Sequence, residues 1–347
     1  MDLKQNTDPK VWEDFITGNQ SWNFLQSRWC GEILKNEHRD IKFWEIWRNK
    51  KLQGVVLLEK KTMTRGGFFF LESLWGPVWL SRLASSIRSE LLRALYEKLL
   101  KNEKAIFWRL SPPAGVLITT RTLESGYYLE AGDLKPGFSW EFFPTLAHTR
   151  PPRKTAYIDL TLDMEEILAR MKPKTRYNIN LARRKNIKVK WSRSEQSLEK
   201  FWELNQVTAK RNKFQSHDFN HYLNILKTKS TDPRNRAEII LAYNGSKPIS
   251  ANLVLFYNKT AYYLHGASGN EERNTMSTYL LHAETIERAK KEGYDVYDLW
   301  GLDEKKWPGV THYKEGFGGI NKYYPVIYEI PLNNLYYKMY RLYRKIR

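Results

Sequence analysis

The sequence predicts a mixed α/β chain of two domains, and three observations carry that expectation. Strand-like and helix-like segments alternate along the chain. Its 347 residues exceed the size at which a single hydrophobic core stops growing. The same order of elements, hairpin, strand, helix, strand, occurs once in each half, as an internal duplication would leave it.

In the first half, KFWEIWR (42–48) and QGVVLLEKK (53–61) read as a hairpin across NKKL. FFFLES (68–73) follows as a strand, then an amphipathic helix over 83–101 and a strand AIFWRL (105–110). The paired prolines of TRPPRKT (149–155) mark a domain edge. Beyond them, helices are expected over 164–170, 174–185 and 197–211 and from 219. AEIILAY (237–243), PISANLVLFY (248–257) and TAYYLHG (260–266) form a meander, a helix spans 276–292, and DVYDLW (295–300) is a strand.

Composition narrows the class. With 41% hydrophobic and 14% aromatic residues the chain can bury a core. Lys and Arg number 57 against 38 Asp and Glu, a formal charge of +19, which favours nucleic acid, phosphorylated molecules or an anionic membrane face as partners. The plainer reading of that excess is solubility. The lone cysteine, Cys30, cannot make an internal disulfide or a thiolate cluster, so a reducing, cytosolic setting is the default. No apolar run is long enough to cross a bilayer, and MDLKQNTDPK lacks a signal-peptide core. The C-terminal LYYKMYRLYRKIR is a basic, aromatic helix that either packs on its own domain with its cations outward or rests on anionic lipid at the inner face of the membrane.

The common catalytic signatures GxxxxGK[ST], GxSxG and HExxH are absent. His217 and His221 stand four apart but show no third ligand in the pattern, so no metal and no bound cofactor are expected. Four stretches remain. In WNFLQSRWCGEILK (22–35), Gln26 and Ser27 sit in an aromatic frame, whose bland use is to start a helix with Phe24, Trp29 and Ile33 inward. In MKPKTRYNINLARRK (171–185), Lys172, Lys174, Arg176, Arg183 and Arg184 line a helix without compensating carboxylates, which suits phosphate or tRNA as well as plain solvation. TAKRNKFQSH (208–217) ends a helix in a cationic loop holding Arg211 and His217. Finally, YDLWGLD ends a strand at Trp300, a loop with Pro308 and Gly309 follows, and HYKEGFGG presents Tyr313 and Lys314 before three glycines. A lysine buried there is costly unless it snorkels out or meets an anion.

Taken together FLQS, KPKTRYNI, TAxRxxFxxH, PISANLV, YYLHGAS, YDLWG and YKEGFG, in this order and spacing, resemble the Fem family, the FemA, FemB and FemX aminoacyltransferases, over nearly the whole chain. The resemblance implies two tandem acetyltransferase-like (GNAT) domains, cut at 1–153 plus 321–347 and at 154–320. No coiled-coil arm interrupts the second, as in the compact type of the family. It implies transfer of an amino acid from aminoacyl-tRNA to an amine of a peptidoglycan precursor, lipid II or a UDP-linked muropeptide. Lys314 and Tyr313 then match the pair beside the transfer site, His217 a phosphate-binding arginine, His265 an aromatic of the acceptor channel, and Lys35, one residue out of register, a second phosphate-binding lysine. Gln26, Arg211 and Trp300 join them as substrate contacts. Ser111 stands where the family carries an acidic residue, and a serine hydroxyl cannot act as a base unaided. ERNTMSTYL (272–280) lacks the glycines with which acetyltransferases cradle coenzyme A, which favours a donor carried on tRNA. Lys314 is expected to be a fixed cation for a carboxylate or oxyanion, because nothing in the sequence lowers its pKa enough to make it a base. Two rival readings stay open: an N-acyltransferase using acyl carrier protein or acyl-CoA, and a non-catalytic tRNA or anionic-lipid binder.

Overall fold

The computed structural model describes residues 2–5, 8–19, 24–63, 67–102, 104–110, 141–142, 154–323 and 327–346. Ser111 and the paired prolines of 151–152 lie outside them. Two compact units divide the chain, residues 1–151 with 324–347, and residues 152–323.

The first unit runs β1 (Asp2–Gln5), α1 (Pro9–Gly18), α2 (Arg28–Asn36), β2 (Asp40–Arg48), β3 (Lys51–Thr62), β4 (Phe69–Ser73), β5 (Val78–Trp79), α3 (Ser85–Asn102), β6 (Phe107–Leu110) and β7 (Glu141–Phe142). After the second unit, β15 (Tyr328–Pro331) and α10 (Asn334–Ile346) return to it. Its sheet has the order β1-β2-β3-β4-β6-β15-β7, with β5 beside β3. Asn49 and Lys50, at φ 50° and 60°, supply the left-handed pair that a two-residue hairpin needs between β2 and β3. Leu91, Leu92, Leu95 and Leu99 recur at helical spacing on α3 and bury against Val56, Leu58, Trp108 and Leu110.

The returning strand is fastened by charge. Arg109 on β6 donates to Glu329 of β15 at 2.5 and 2.9 Å and to Glu72 of β4 at 3.2 Å, all three buried. Tyr337 of α10 adds a hydroxyl bond to Glu329 at 3.1 Å. Cys30 is buried in α2, and burial pushes its thiol up to about 12, so it is chemically quiet.

The second unit runs β8 (Lys154–Asp159), α4 (Met164–Arg170), α5 (Pro173–Arg184), β9 (Lys188–Ser192), α6 (Glu195–Asn212), α7 (Phe219–Lys227), β10 (Arg236–Asn244), β11 (Lys247–Tyr257), β12 (Thr260–Ser268), α8 (Ser277–Lys291), β13 (Val296–Asp298), α9 (Pro308–Glu315) and β14 (Ile320–Tyr323). The sheet order is β14-β8-β13-β12-β11-β10-β9. The duplicated pattern is present in both units. β4 pairs in parallel with β6 after the crossover α3, and β12 with β13 after α8.

Asp163 and Glu166 cap the start of α4 reciprocally, which is why that limit is readable from sequence. Two segments differ from expectation: the strand expected to end at Trp300 stops at Asp298, where its parallel pairing with β12 ends. The loop expected around Pro308 and Gly309 is the first turn of α9, with Pro308 where its missing N–H costs nothing.

Replacing Arg109 by alanine leaves Glu72 and Glu329 buried without their shared cation. Urea unfolding should show a loss of about 3–5 kcal/mol for Arg109→Ala.

Candidate active site

The site grows from a place where two strands part. β12 and β13 pair in parallel only at Thr260↔Val296, Ala261↔Tyr297 and Tyr262↔Asp298. Beyond Asp298 the chain stays with β8 instead, Leu299 N–H donating to Ala156 O at 3.0 Å and Leu302 N–H to Lys154 O at 2.7 Å. Trp300 and Gly301 are both left-handed, at φ 46° and 81°, an uncommon conformation for a tryptophan. Asp298, fully buried, holds the turn by accepting Trp300 N–H at 2.8 Å and the Thr155 hydroxyl at 2.5 Å on one carboxylate oxygen.

Lys314 answers the carbonyls that this parting leaves. From the last turn of α9 its Nζ donates to Trp300 O at 2.5 Å and Gly301 O at 2.9 Å, with 6% of the residue exposed. The Tyr263 ring stands 5.0 Å away. Burial lowers its pKa from the ordinary lysine range to about 7, against the opposing pull of the Asp298 carboxylate. Desolvation thus supplies a depression of the lysine pKa that the sequence did not reveal. With two of its N–H groups on carbonyls, the tetrahedral nitrogen has one position left. That position is a lone pair when the amine is neutral and an N–H when it is charged.

The three glycines after Lys314 serve packing rather than substrate access. A Cβ on Gly316 would lie 2.4 Å from Thr175 Oγ1, and one on Gly318, itself at φ 73°, 2.2 Å from Arg170 O. Gly319 is backed by Ala156 and Tyr157. They let α9 close onto the start of α5, where Lys172 N–H donates to Gly316 O at 2.8 Å.

Aromatic groups wall the lysine. Tyr263 meets the His282 ring edge-on at 4.5 Å, and His282 Nδ1 shares a hydrogen bond of 2.8 Å with Tyr297 Oη. Tyr313 packs edge-on against Tyr279 at 4.8 Å and Phe317 at 5.5 Å, and burial pushes its phenol well above the usual range. Burial, then the Lys314 charge, pushes His282 down to about 3.

A bulge in β12 directs its neighbours. Tyr263 pairs with Val254 but His265 with Leu253, so Leu264 is the extra residue and the face alternation reverses there. Tyr263 thus shares the α8 face with Val254, while His265 turns to α7, where it meets Tyr222 at 5.3 Å, His217 at 5.8 Å and, with its nitrogens, His221. Burial, then His217 and His221, push His265 down to about 3.

Other expected residues are engaged elsewhere. Arg211 pins the end of β12, donating to Ser268 O at 3.0 Å, Gly269 O at 3.2 Å and Asn270 Oδ1 at 2.7 Å. Arg176 caps the end of α4 by donating to the Leu168 and Met171 carbonyls. Arg183 is compensated after all, by Glu287 of α8 at 2.5 Å. Lys172, Lys174 and Arg184 remain outward on α5, the last two 5.0 and 5.7 Å from the ring of the exposed Tyr177. In the first unit Gln26 has no exposure. Its amide donates to Leu74 O at 2.8 Å and accepts Leu57 N–H at 2.9 Å, so it braces β3 and is not open to a substrate. Lys35 pairs with Glu32 at 3.2 Å and lies 4.9 Å from the Phe43 ring.

Sequence reasoning missed Asp298, Tyr263 and His282. Their only signals were an acid between apolar residues in YDLW and a lone histidine on an apolar helix face, and both usually mean core.

Two tandem units of antiparallel strands, crossover helix and parallel strand, with a polar group lodged where the parallel pair parts, define a tandem acetyltransferase-fold protein. Solved structures share that fold. FemX aligns over 98% of this chain and 99% of its own with a TM-score of 0.78 at 20% identity. A tandem GNAT protein from the clavulanic acid biosynthesis pathway aligns over 96% and 99% with a TM-score of 0.54 at 11%. The chain belongs to the FemAB family, which matches residues 7–243 and 226–345. Lipid II:glycine glycyltransferase of Staphylococcus haemolyticus (strain JCSC1435) is 21% identical over 282 residues, 62% of this chain and 65% of that protein. The enzyme of the same name from Staphylococcus saprophyticus is 34% identical over 65 residues, 19% of this chain and 16% of its own. The chain thus matches less than two thirds of the length of these relatives.

A histidine held neutral at about 3 in the fold takes up its proton near 6.5 when unfolded, so folding is favoured as pH rises between those values. The urea midpoint should therefore rise from about pH 5 to about pH 7, and His282→Leu should flatten that rise.

Proposed function

We propose that this protein is an aminoacyltransferase that moves an amino acid from the ester of aminoacyl-tRNA to an amine of a peptidoglycan precursor, lipid II in particular. The ester bond to the terminal ribose breaks, an amide bond forms, and the attacking amine gives up a proton. The carrying observation is Lys314, a buried amine with one free position and a pKa of about 7. In its neutral form it accepts that proton, as an ammonium it faces the developing oxyanion, and it then returns the proton to the departing ribose oxygen, which leaves as a hydroxyl. Tyr313, Trp300 and the His217–His265 side of β12 shape the surroundings in which the two substrates are aligned.

The donor reading is supported by α8. Glu272 and Met276 take left-handed conformations at φ 59° and 57° before it, where a pyrophosphate cradle uses glycine, and Glu272 accepts from Asn244 at 2.6 Å. An anionic carboxylate there suits coenzyme A poorly. On α5, Lys172, Lys174 and Arg184 beside an exposed Tyr177 offer phosphate contacts and a stacking face, the pairing that tRNA ends exploit.

A lipid-linked acceptor is supported by α10. Its inner face packs Tyr337 and Tyr340 on Phe107, and Leu335, Met339, Leu342 and Tyr343, 56–66% exposed, point outward. Of the two uses open for this helix, packing on its own unit and resting on anionic lipid, the outward apolar stripe with Lys338 beside it supports the second in addition to the first. Among the described residues no helix is long and apolar enough to cross a membrane. Such a helix lies at the surface of a bilayer, and the protein would work at the cytoplasmic face.

Label supplied on aminoacyl-tRNA should enter lipid II. Transfer from acyl-CoA or acyl carrier protein instead would establish an N-acyltransferase, and salt-sensitive tRNA retention without transfer a binding protein. The kcat/KM profile should rise through about pH 7, because the basic form of Lys314 is the active one. Lys314→Met should lower turnover by about 10²- to 10⁴-fold and remove that limb while the fold persists.

Vesicles containing phosphatidylglycerol should retain the protein. Leu335→Ser combined with Met339→Ser and Leu342→Ser should weaken retention at least tenfold, at about 0.8 kcal/mol per buried methylene, without changing the circular dichroism spectrum.

A further inference from the structure

We propose that His217, His221 and His265 form a three-imidazole site for one divalent transition-metal ion. The ligand nitrogens of the three residues all lie within 4.8 Å of one another. Two come from one corner, the loop entering α7 and its first turn, and the third from β12 at its bulge. Sequence spacing could show the first pair only. The third ligand exists because the extra residue Leu264 reverses the face of His265.

The cluster has a rigid floor. Tyr222 is buried and meets His217, His221 and His265 edge-on at 6.0, 5.3 and 5.3 Å, and its hydroxyl accepts from Asn205 Nδ2 at 2.9 Å. Asp218 caps α7 by accepting His221 N–H at 2.8 Å, which fixes the corner carrying two of the ligands. The His217 and His221 rings stack at 4.0 Å and 23°. Neutral imidazole is the ligating form.

A metal bound to imidazole at about 2.0–2.1 Å in a tetrahedron places the nitrogens roughly 3.4 Å apart. The nitrogens already lie within 4.8 Å of one another, so ligation requires the stacked His217 and His221 rings to reorient toward a common point. An all-imidazole set suits zinc, cobalt, nickel or copper in the divalent state over magnesium or calcium, which take oxygen ligands. The fourth position is left to water or to an anionic oxygen, phosphate or carboxylate. Three neutral ligands leave the ion its full double charge, so an anion there would be held firmly.

The test uses the full chain, stripped with chelator and dialysed. Cobalt(II) added to it should give the visible d–d absorption of a four-coordinate ion, saturating at one per chain, and zinc(II) should bleach that band. Loss of an outer-shell partner of a metal ligand costs about 10- to 100-fold in affinity, so His221→Ala and His265→Phe, which remove direct ligands, should weaken zinc binding by about 100-fold or more. His312→Ala, exposed and outside the cluster, should leave it unchanged. His221→Ala, on the partly exposed first turn of α7, is the variant least able to harm folding. Failure of the wild-type chain to bind a single ion with saturation, or equal affinity in wild type and His221→Ala, would overturn the site. So would binding of inorganic phosphate by the metal-free chain that is lost in both variants, since that would make the cluster an anion site.

Discussion

The second unit is organised around one amine on two carbonyls. β12 and β13 stop pairing after Asp298, and main-chain oxygens that a continuous sheet would have satisfied face inward. Buried carbonyls need donors, and leaving them unpaired would cost about 1–3 kcal/mol each. Lys314 provides the donors, yet its own burial makes a permanent charge expensive. Each need limits the other. The result is a nitrogen that is held in place by hydrogen bonds and can lose its proton near neutrality.

The surrounding features follow from holding that nitrogen. Trp300 tolerates a left-handed backbone because Asp298 anchors its N–H, and Thr155 in turn anchors Asp298. α9 must approach the start of α5 closely, which is why Gly316 and Gly318 carry no side chain. Gly266 makes the matching concession on β12, where a Cβ would sit 1.8 Å from the Tyr263 hydroxyl. The bulge at Leu264 then divides labour across one strand, sending Tyr263 to the lysine and His265 to the histidines.

Charge is handled differently at the surface. Of the cations on α5, Arg176 and Arg183 are spent on a helix end and on Glu287, and Lys172, Lys174 and Arg184 are left outward around Tyr177. The buried Arg109 network in the first unit is structural, since its geometry satisfies Glu72 and Glu329 and leaves Arg109 about 4% exposed. A net charge of +19 therefore says less about partners than where the outward cations cluster.

Local rules made much of the fold legible. Helical spacing marked α3 to within two residues, a reciprocal cap marks the start of α4, and the strands of the meander were plain from β-branched and aromatic runs. YKEGFG and YDLWG meet in the fold, where Lys314 of the first donates to Trp300 and Gly301 of the second. What the sequence by itself determined was the order of elements, the duplication and the family, because these depend on periodicity and on short motifs. What only the tertiary structure decided was the chemistry. The pKa of Lys314 depends on how deeply three elements bury it, the use of Gln26 and Arg211 on which carbonyls lie within reach, and the third histidine on a one-residue bulge. Each is a relation between segments distant in sequence, and spacing along the chain carries no record of it.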